Sequence, residues 1–167
     1  MLSKPSIKKK GVQSYVAIRK TVPMKEIPAL LPPLIPQIAK WMADHDIKPT
    51  GPEFFNYLSM DKDNNIVSEV GYPVESKVQA EGDVVSDDFP AGHYAHLTYT
   101  GDYKFMMDAH KGLDKFIAEN GFKEERSLGA PDFPHGVRTE VYLTDPDVEP
   151  DPAKWITEIY VLLEPSK

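Results

Sequence analysis

Glu158 lies within a stretch of apolar and aromatic residues near the C-terminus, which is an unusual place for a carboxylate. Residues 155–164 are rich in β-branched and aromatic side chains and contain no glycine, so they predict a strand. Because side chains alternate between the two faces of a strand, Glu158 shares one face with Tyr160 and Leu162. Two interpretations stay open: this face lines an apolar hollow that holds one acid, or Glu158 is exposed beside two partly covered neighbours.

The other polar residues do not form the pattern of a metal site. His93 and His96 are three residues apart in a predicted strand, so their side chains point to opposite faces. The segment that begins at Asp61 resembles the start of a calcium loop, but the glycine and the closing glutamate of such a loop are missing. The chain has no cysteine, which excludes disulfides, thiolate catalysis and cysteine-based zinc sites. We therefore expect no metal and no cofactor.

The elements that must position these residues occur in the same order twice: strand, helix, strand, strand. Hydrophobic periodicity and the positions of proline and glycine divide the chain into repeats at about 12–75 and 84–164. The predicted helices are 34–45 and 103–120, and the predicted strands are 12–22, 51–60, 66–75, 93–100, 138–144 and 155–164. Two units of this size, each too small for its own core, predict an α+β fold. We expect an antiparallel sheet with two long helices on one face and a ligand cleft on the other.

The repeats also share landmark residues, although their identity is slight. The strand after each helix carries a tyrosine, Tyr57 or Tyr142, and the last strand of each carries a central glutamate, Glu69 or Glu158. The aromatic content suits a cleft for flat or cationic small molecules. The predicted ligand-binding residues are Glu158, Tyr160, Trp155, Tyr142, Tyr94, Tyr57 and Phe55.

Composition narrows the possible partners. The net charge of −7 argues against general binding of a nucleic-acid backbone, which needs a basic surface. No apolar run approaches the ~20 residues that span a bilayer, and the basic N-terminus lacks the apolar segment of a secretory signal. Lys8, Lys9 and Lys10 are interpreted as part of a solvated tail at 1–11, which precedes one domain at 12–167. We expect a cytoplasmic protein.

Six short segments, in their order along the chain, resemble a known family. They are Gly51-Pro-Glu-Phe-Phe-Asn-Tyr57, Glu69-Val-Gly-Tyr-Pro-Val74, Gly92-His-Tyr-Ala95, Tyr99-Thr-Gly-Asp-Tyr103, Glu140-Val-Tyr-Leu-Thr-Asp-Pro146 and Thr157-Glu-Ile-Tyr160. Across residues 12–164 this set resembles the GyrI-like small-molecule-binding domain. That module is also found fused to AraC-type and MerR-type regulators.

The resemblance implies two strand-helix-strand-strand repeats around a central ligand cleft. It implies a cleft glutamate, carried here by Glu158, and aromatic walls from Tyr142, Trp155 and Tyr160. The chain departs from the family at Leu162, where proline is frequent, and in the prolines that precede the first helix.

Three functions stay open. The leading one is a stand-alone binding module for amphipathic, aromatic or cationic small molecules. The second is a hydrolase that opens cyclopropane-bearing compounds, in which Glu158 activates water and Tyr142 or Tyr160 acts as the acid. The third is a gyrase-modulating protein-interaction module, which the scattered acidic residues favour less. We expect no helix-turn-helix before Gly11, hence no direct DNA binding, and no membrane partner. The oligomeric state and the ligand are left open.

Overall fold

The computed structural model describes residues 1–165, whose strands form one antiparallel sheet. The eight strands are β1 (Ser6–Lys10), β2 (Gln13–Pro23), β3 (Phe54–Met60), β4 (Asn65–Pro73), β5 (Val84–Phe89), β6 (Gly92–Thr100), β7 (Arg138–Tyr142) and β8 (Ile156–Leu162). Their order across the sheet is β1-β6-β8-β7-β3-β4-β2-β5. The expected solvated tail at Lys8–Lys10 is thus corrected: these residues belong to β1, an edge strand paired with β6. Residues 166–167 of the predicted domain lie outside the described residues.

Prolines and glycines set the limits of the helices. The helices are α1 (Ile27–Leu30), α2 (Leu34–Asp44) and α3 (Met106–Glu119). Pro32 and Pro33 separate α1 from α2, because proline has no backbone N–H for a helical hydrogen bond. The carboxylate of Asp102 accepts the backbone N–H of Lys104 and caps the single turn that leads into α3. Gly121, with a φ of 73°, follows the end of α3.

The sheet confirms the predicted α+β fold of two repeats. The first repeat is β2-α2-β3-β4 and the second is β6-α3-β7-β8, and they meet where β3 pairs with β7. The strand that precedes each repeat pairs with the other repeat. β1, which precedes the first repeat, pairs with β6 of the second, and β5, which precedes the second repeat, pairs with β2 of the first. Each half therefore depends on the other to complete its part of the sheet.

Both long helices pack on the same face of the sheet, as predicted. On α3, Leu113 is fully buried and packs with Leu97 and Ile159 of the second repeat. On α2, Ile38 is fully buried and packs with Val16 of the first repeat. Within residues 1–165, no helix is both long and apolar enough to cross a membrane.

The opposite face of the sheet is concave. β5 and β6 lie near opposite edges of the sheet, yet only Pro90 and Ala91 connect them. Likewise, only Gly11 and Val12 connect β1 to β2. Two linking residues allow the strand ends to lie at most ~11 Å apart, so the sheet must curl until its two sides approach each other at these links. The result is a half-barrel with one end partly closed.

Candidate functional site

The seven predicted ligand-binding residues lie on two faces of the sheet. Glu140 pairs with Ile159 and Val141 pairs with Glu158, so the Glu-x-Tyr segment of β7 faces the helices and that of β8 faces the concave side. The helix side carries Phe55, Tyr57, Tyr142 and Trp155, and the concave side carries Tyr94, Glu158 and Tyr160. Glu158 and Tyr142 therefore do not meet in one cleft, contrary to the sequence prediction.

On the helix side, the aromatic residues gather around Glu140, a carboxylate that is only 6% exposed. The hydroxyls of Tyr57 and Tyr142 both donate to Glu140 Oε1, the former at 3.0 Å. His110 Nε2, from α3, lies 2.7 Å from Oε2. A buried carboxylate needs such donors, because it has lost its hydration. We call this group, with Tyr103 and Trp155 described below, the helix-side site.

Arg138 determines which ring nitrogen of His110 faces Glu140 as a donor. Its Nη1 lies 3.0 Å from His110 Nδ1, and a guanidinium can only donate hydrogen bonds. Nδ1 must therefore accept, and Nε2 carries the hydrogen that is donated to Glu140. Arg138 itself is held by Asp114 at 2.6 Å and Glu124 at 2.8 Å.

The charge of Glu140 is stabilised chiefly by its contact with His110 and by hydrogen bonds from two tyrosines. Burial acts to raise the pKa of Glu140, but the hydrogen bond and electrostatic attraction of His110, followed by the hydrogen bonds of Tyr142 and Tyr57, hold that pKa below the ordinary value. In the tautomer that Arg138 selects, none of these three donors has a formal charge. The positive charge of Arg138 is shared with Asp114 and Glu124. The helix-side site therefore carries about one uncompensated negative charge.

Two partly exposed aromatic rings, Tyr103 and Trp155, extend this cluster beyond Tyr142, and we call them the covering rings. Tyr103 lies 5.5 Å from Tyr142 and 4.6 Å from Trp155 between ring centroids. Tyr142 also meets Phe55 edge to face at 4.9 Å. Tyr103 belongs to the turn before α3, and Trp155 precedes β8 rather than lying within it as predicted. Because both covering rings come from connecting segments, they can move without disturbing the sheet.

The rim of the site is acidic. Burial, followed by the negative charges of Glu53, Asp145 and Glu140, raises the pKa of Tyr103 to about 12. The same two rim carboxylates, after burial, raise the pKa of Tyr72. A cation that approaches the covering rings thus meets carboxylates at the rim and another one beneath.

Sequence analysis missed Glu140, His110, Arg138 and Tyr103. One signal was present: Glu140-Val-Tyr142 repeats the Glu-x-Tyr spacing of Glu158-Ile-Tyr160. Spacing alone does not show which motif lies beneath a helix. His110 follows the buried Ala109 on α3, so it reads as a residue at the border of the apolar stripe.

On the other face of the sheet, Glu158 lines a cavity of about 260 Å³, which we call the concave cavity. Glu158 Oε2 lies 2.7 Å from His96 Nε2 and accepts the hydroxyl of Tyr160 at 2.8 Å. Burial opposes ionisation of Glu158, but the hydrogen bonds of Tyr160 and His96, together with the electrostatic attraction of His96 and Lys8, lower its pKa. The ammonium of Lys10 lies 3.9 Å from the centre of the Tyr160 ring. Among residues 1–165, no group of three or more histidine and acidic side chains is placed to hold a metal ion.

Comparison with known proteins agrees with this architecture. The family described as GyrI-like small molecule binding domain matches residues 3–164. The chain belongs to this family. No curated protein matches the sequence.

Solved structures share the fold of this GyrI-like chain at low identity. The C-terminal domain of EcmrR has a TM-score of 0.74 at 23% identity, with 98% of both chains covered. In an EcmrR–DNA complex the TM-score is 0.76 at 21% identity, and the match covers 98% of this chain but 58% of that one. SAV2435 bound to tetraphenylphosphonium has a TM-score of 0.60 at 12% identity, covering 97% of this chain and 94% of that one.

A structure described as a hydrolase from Listeria innocua also shares the GyrI-like fold. Its TM-score is 0.60 at 13% identity, with 96% of this chain and 92% of that chain covered. At these identities the likenesses establish the fold alone.

Proposed function

We propose that the protein binds amphipathic aromatic cations at the helix-side site, where the ligand pairs with Glu140 and stacks between Tyr103 and Trp155. The observation that carries this proposal is a buried carboxylate that accepts hydrogen bonds from two tyrosines and His110 and that, within residues 1–165, forms no salt bridge with a lysine or arginine. Such a group gains most from a ligand that supplies the missing positive charge in a water-poor environment. Aromatic rings add stacking and cation–π attraction.

The relatives support this class of ligand. Membership of a small-molecule-binding family makes a ligand the expected partner. SAV2435, which has the same fold, is described with tetraphenylphosphonium, an aromatic cation. At 12% identity this likeness shows the fold alone, and the cationic ligand is inferred from Glu140 and the aromatic rings of this chain.

The hydrogen bonds favour binding over hydrolysis at Glu140. An ionised carboxylate has about four acceptor positions, and the two tyrosines and His110 already occupy three of them. Only one position is left for a water molecule, so Glu140 is poorly placed to act as the base that activates water. A fixed carboxylate of this kind is suited to hold a charge in place.

Ligand entry requires the covering rings to separate. Tyr103 and Trp155 now contact each other at 4.6 Å, which leaves no space for a ring between them. The indole N–H of Trp155 donates to the backbone oxygen of Glu149 in the acidic loop before β8. We infer that this loop moves with Trp155 when a ligand binds.

Fluorescence titration tests the proposal with two probes of matched shape, the permanent cation 10-methylacridinium and acridine, which is uncharged at pH 8. We expect the cation to bind at least about tenfold more tightly, which corresponds to a single favourable charge interaction of about 1.4 kcal/mol. Tyr103→Ala should weaken both probes, because it removes a stacking surface but no charge. Equal affinity of the two probes for the wild-type protein would refute cation recognition.

A further inference from the structure

The two repeats place a glutamate at matching positions on the concave face, but surround it differently. In the first repeat, Glu69 is fully buried and its oxygens are occupied. Arg19 pairs with Glu69 Oε2 at 2.8 Å, while Tyr15 and Asn56 donate to Oε1 at 2.8 and 3.0 Å. Glu69 and Arg19 thus form a buried structural ion pair, in which the chain itself supplies the cation for the glutamate at this position.

In the second repeat, the partners of that ion pair are replaced. Thr98 stands opposite Glu158 on β6, where Arg19 stands opposite Glu69 on β2. On the other side, Val141 stands where the first repeat has Asn56. Glu158 consequently has no arginine partner. Within residues 1–165 its Oε1 accepts no hydrogen bond, and the side chain lines the concave cavity.

The cavity also contains a cation that is not paired. Lys10 lines it, and no carboxylate within the described part of the chain lies within 4.0 Å of its ammonium. The ammonium sits over the ring of Tyr160, whose hydroxyl bonds Glu158. One positive and one negative group therefore contact the same tyrosine, the ammonium over its ring and the carboxylate at its hydroxyl, and no salt bridge joins them.

The remaining walls are largely apolar. They include Phe54, Phe89, Val141 and Leu143, and the phenol ring of Tyr94. The volume of about 260 Å³ lies just below the ~300–1,000 Å³ range of drug-sized pockets, so it suits a small metabolite. The two short links between strands close one end, which gives an apolar side chain an enclosed place to lie.

We propose that the concave cavity is a second ligand site, for a small zwitterion of the amino-acid type with an apolar side chain. Its cationic group pairs with Glu158 Oε1, taking the role that Arg19 has in the other repeat. Its carboxylate pairs with Lys10, and its side chain packs against Phe54 and Phe89. This site is separate from the helix-side site, because the sheet lies between them.

Calorimetric titration of the whole chain tests the proposal with three probes. Phenylalanine has both charges, N-acetylphenylalanine lacks the cation, and phenylalaninamide lacks the anion. We expect phenylalanine to bind the wild-type protein about tenfold or more tightly than either derivative, since each derivative loses one charge-assisted hydrogen bond. This comparison needs no variant. If phenylalanine binds no more tightly than either derivative, the proposal is overturned.

Variants of Lys10 and Glu158 then show which residue pairs with each charged group of the ligand. Lys10→Met should weaken phenylalanine and N-acetylphenylalanine about tenfold and leave phenylalaninamide unchanged. Glu158→Gln should weaken phenylalanine and phenylalaninamide about tenfold and leave N-acetylphenylalanine unchanged. The matched control is Lys9→Met, which removes the same charge from an exposed side chain on the other face of β1. An equal effect of Lys9→Met and Lys10→Met would overturn the proposal.

Discussion

Replacing Glu140 by Gln removes one charge from the helix-side site while nearly keeping the shape of the side chain. The amide oxygen can still accept from Tyr57 and Tyr142, whose hydroxyls share one carboxylate oxygen. The amide nitrogen then faces the N–H of His110, and His110 cannot switch tautomer because Arg138 donates to its other nitrogen. This clash of donors should cost about 1–3 kcal/mol of folding stability.

The loss of affinity follows from the charge. A ligand cation about 5 Å from the carboxylate, at an effective dielectric constant of about 20, interacts with it by about 3 kcal/mol. We therefore expect 10-methylacridinium to bind Glu140→Gln roughly 150-fold more weakly than the wild type. Acridine at pH 8 has no charge to lose, so its affinity should change less than about threefold.

Fluorescence titration measures both affinities, and circular dichroism confirms that each variant is folded at the titration temperature. Glu75→Gln is the matched control, because it makes the same chemical change at an exposed carboxylate. Equal weakening of the two probes by Glu140→Gln would indicate structural damage. An unchanged affinity for the cation in a folded variant would refute the role of Glu140 in charge recognition.

Three further predictions concern the core, the covering rings and acid stability. Leu113→Ala should lower the free energy of unfolding by about 2–5 kcal/mol, because this side chain of α3 is fully buried against the sheet, and a loss below about 0.5 kcal/mol in denaturant titrations would contradict its place in the core. Trp155→Ala should weaken binding of 10-methylacridinium by about 1–3 kcal/mol through lost stacking and cation–π contact, and an unchanged affinity would remove Trp155 from the site. The lowered pKa of Glu140 gives stability that is present above the ordinary carboxyl pKa of about 4.3 and is lost as pH falls through the folded-state value. Urea denaturation between pH 3 and 6 should therefore show that the free energy of unfolding falls more steeply with decreasing pH for the wild type than for Glu140→Gln. If the two proteins lose stability in parallel over this pH range, Glu140 does not have a lowered pKa.

The architecture could be predicted because its signals are local and repeated. Period-two alternation on β8 correctly identified Ile159 and Val161 as core residues, and both are fully buried. The apolar stripe of α3 likewise identified Leu113. β1 was missed because its three consecutive lysines give no apolar face. It forms a strand only because β6 offers it an unpaired edge.

The site was harder to predict, because alternation assigns faces within a strand but does not relate one strand to the next. Glu140-x-Tyr142 and Glu158-x-Tyr160 have the same spacing. Because Val141, and not Glu140, lies opposite Glu158, the two motifs face opposite sides of the sheet. That register depends on the pairing of strands that are separated by a long acidic loop. The hydrogen bonds of Glu140 to His110 and Tyr57 connect side chains 30 and 83 residues away, which sequence spacing does not reveal.

A crystal structure of the protein grown with 10-methylacridinium would test the central claim most directly. We predict density for the cation beside Glu140, with Tyr103 and Trp155 moved apart to enclose its ring. A cation found only in the concave cavity, with Tyr103 and Trp155 still in contact, would contradict the claim.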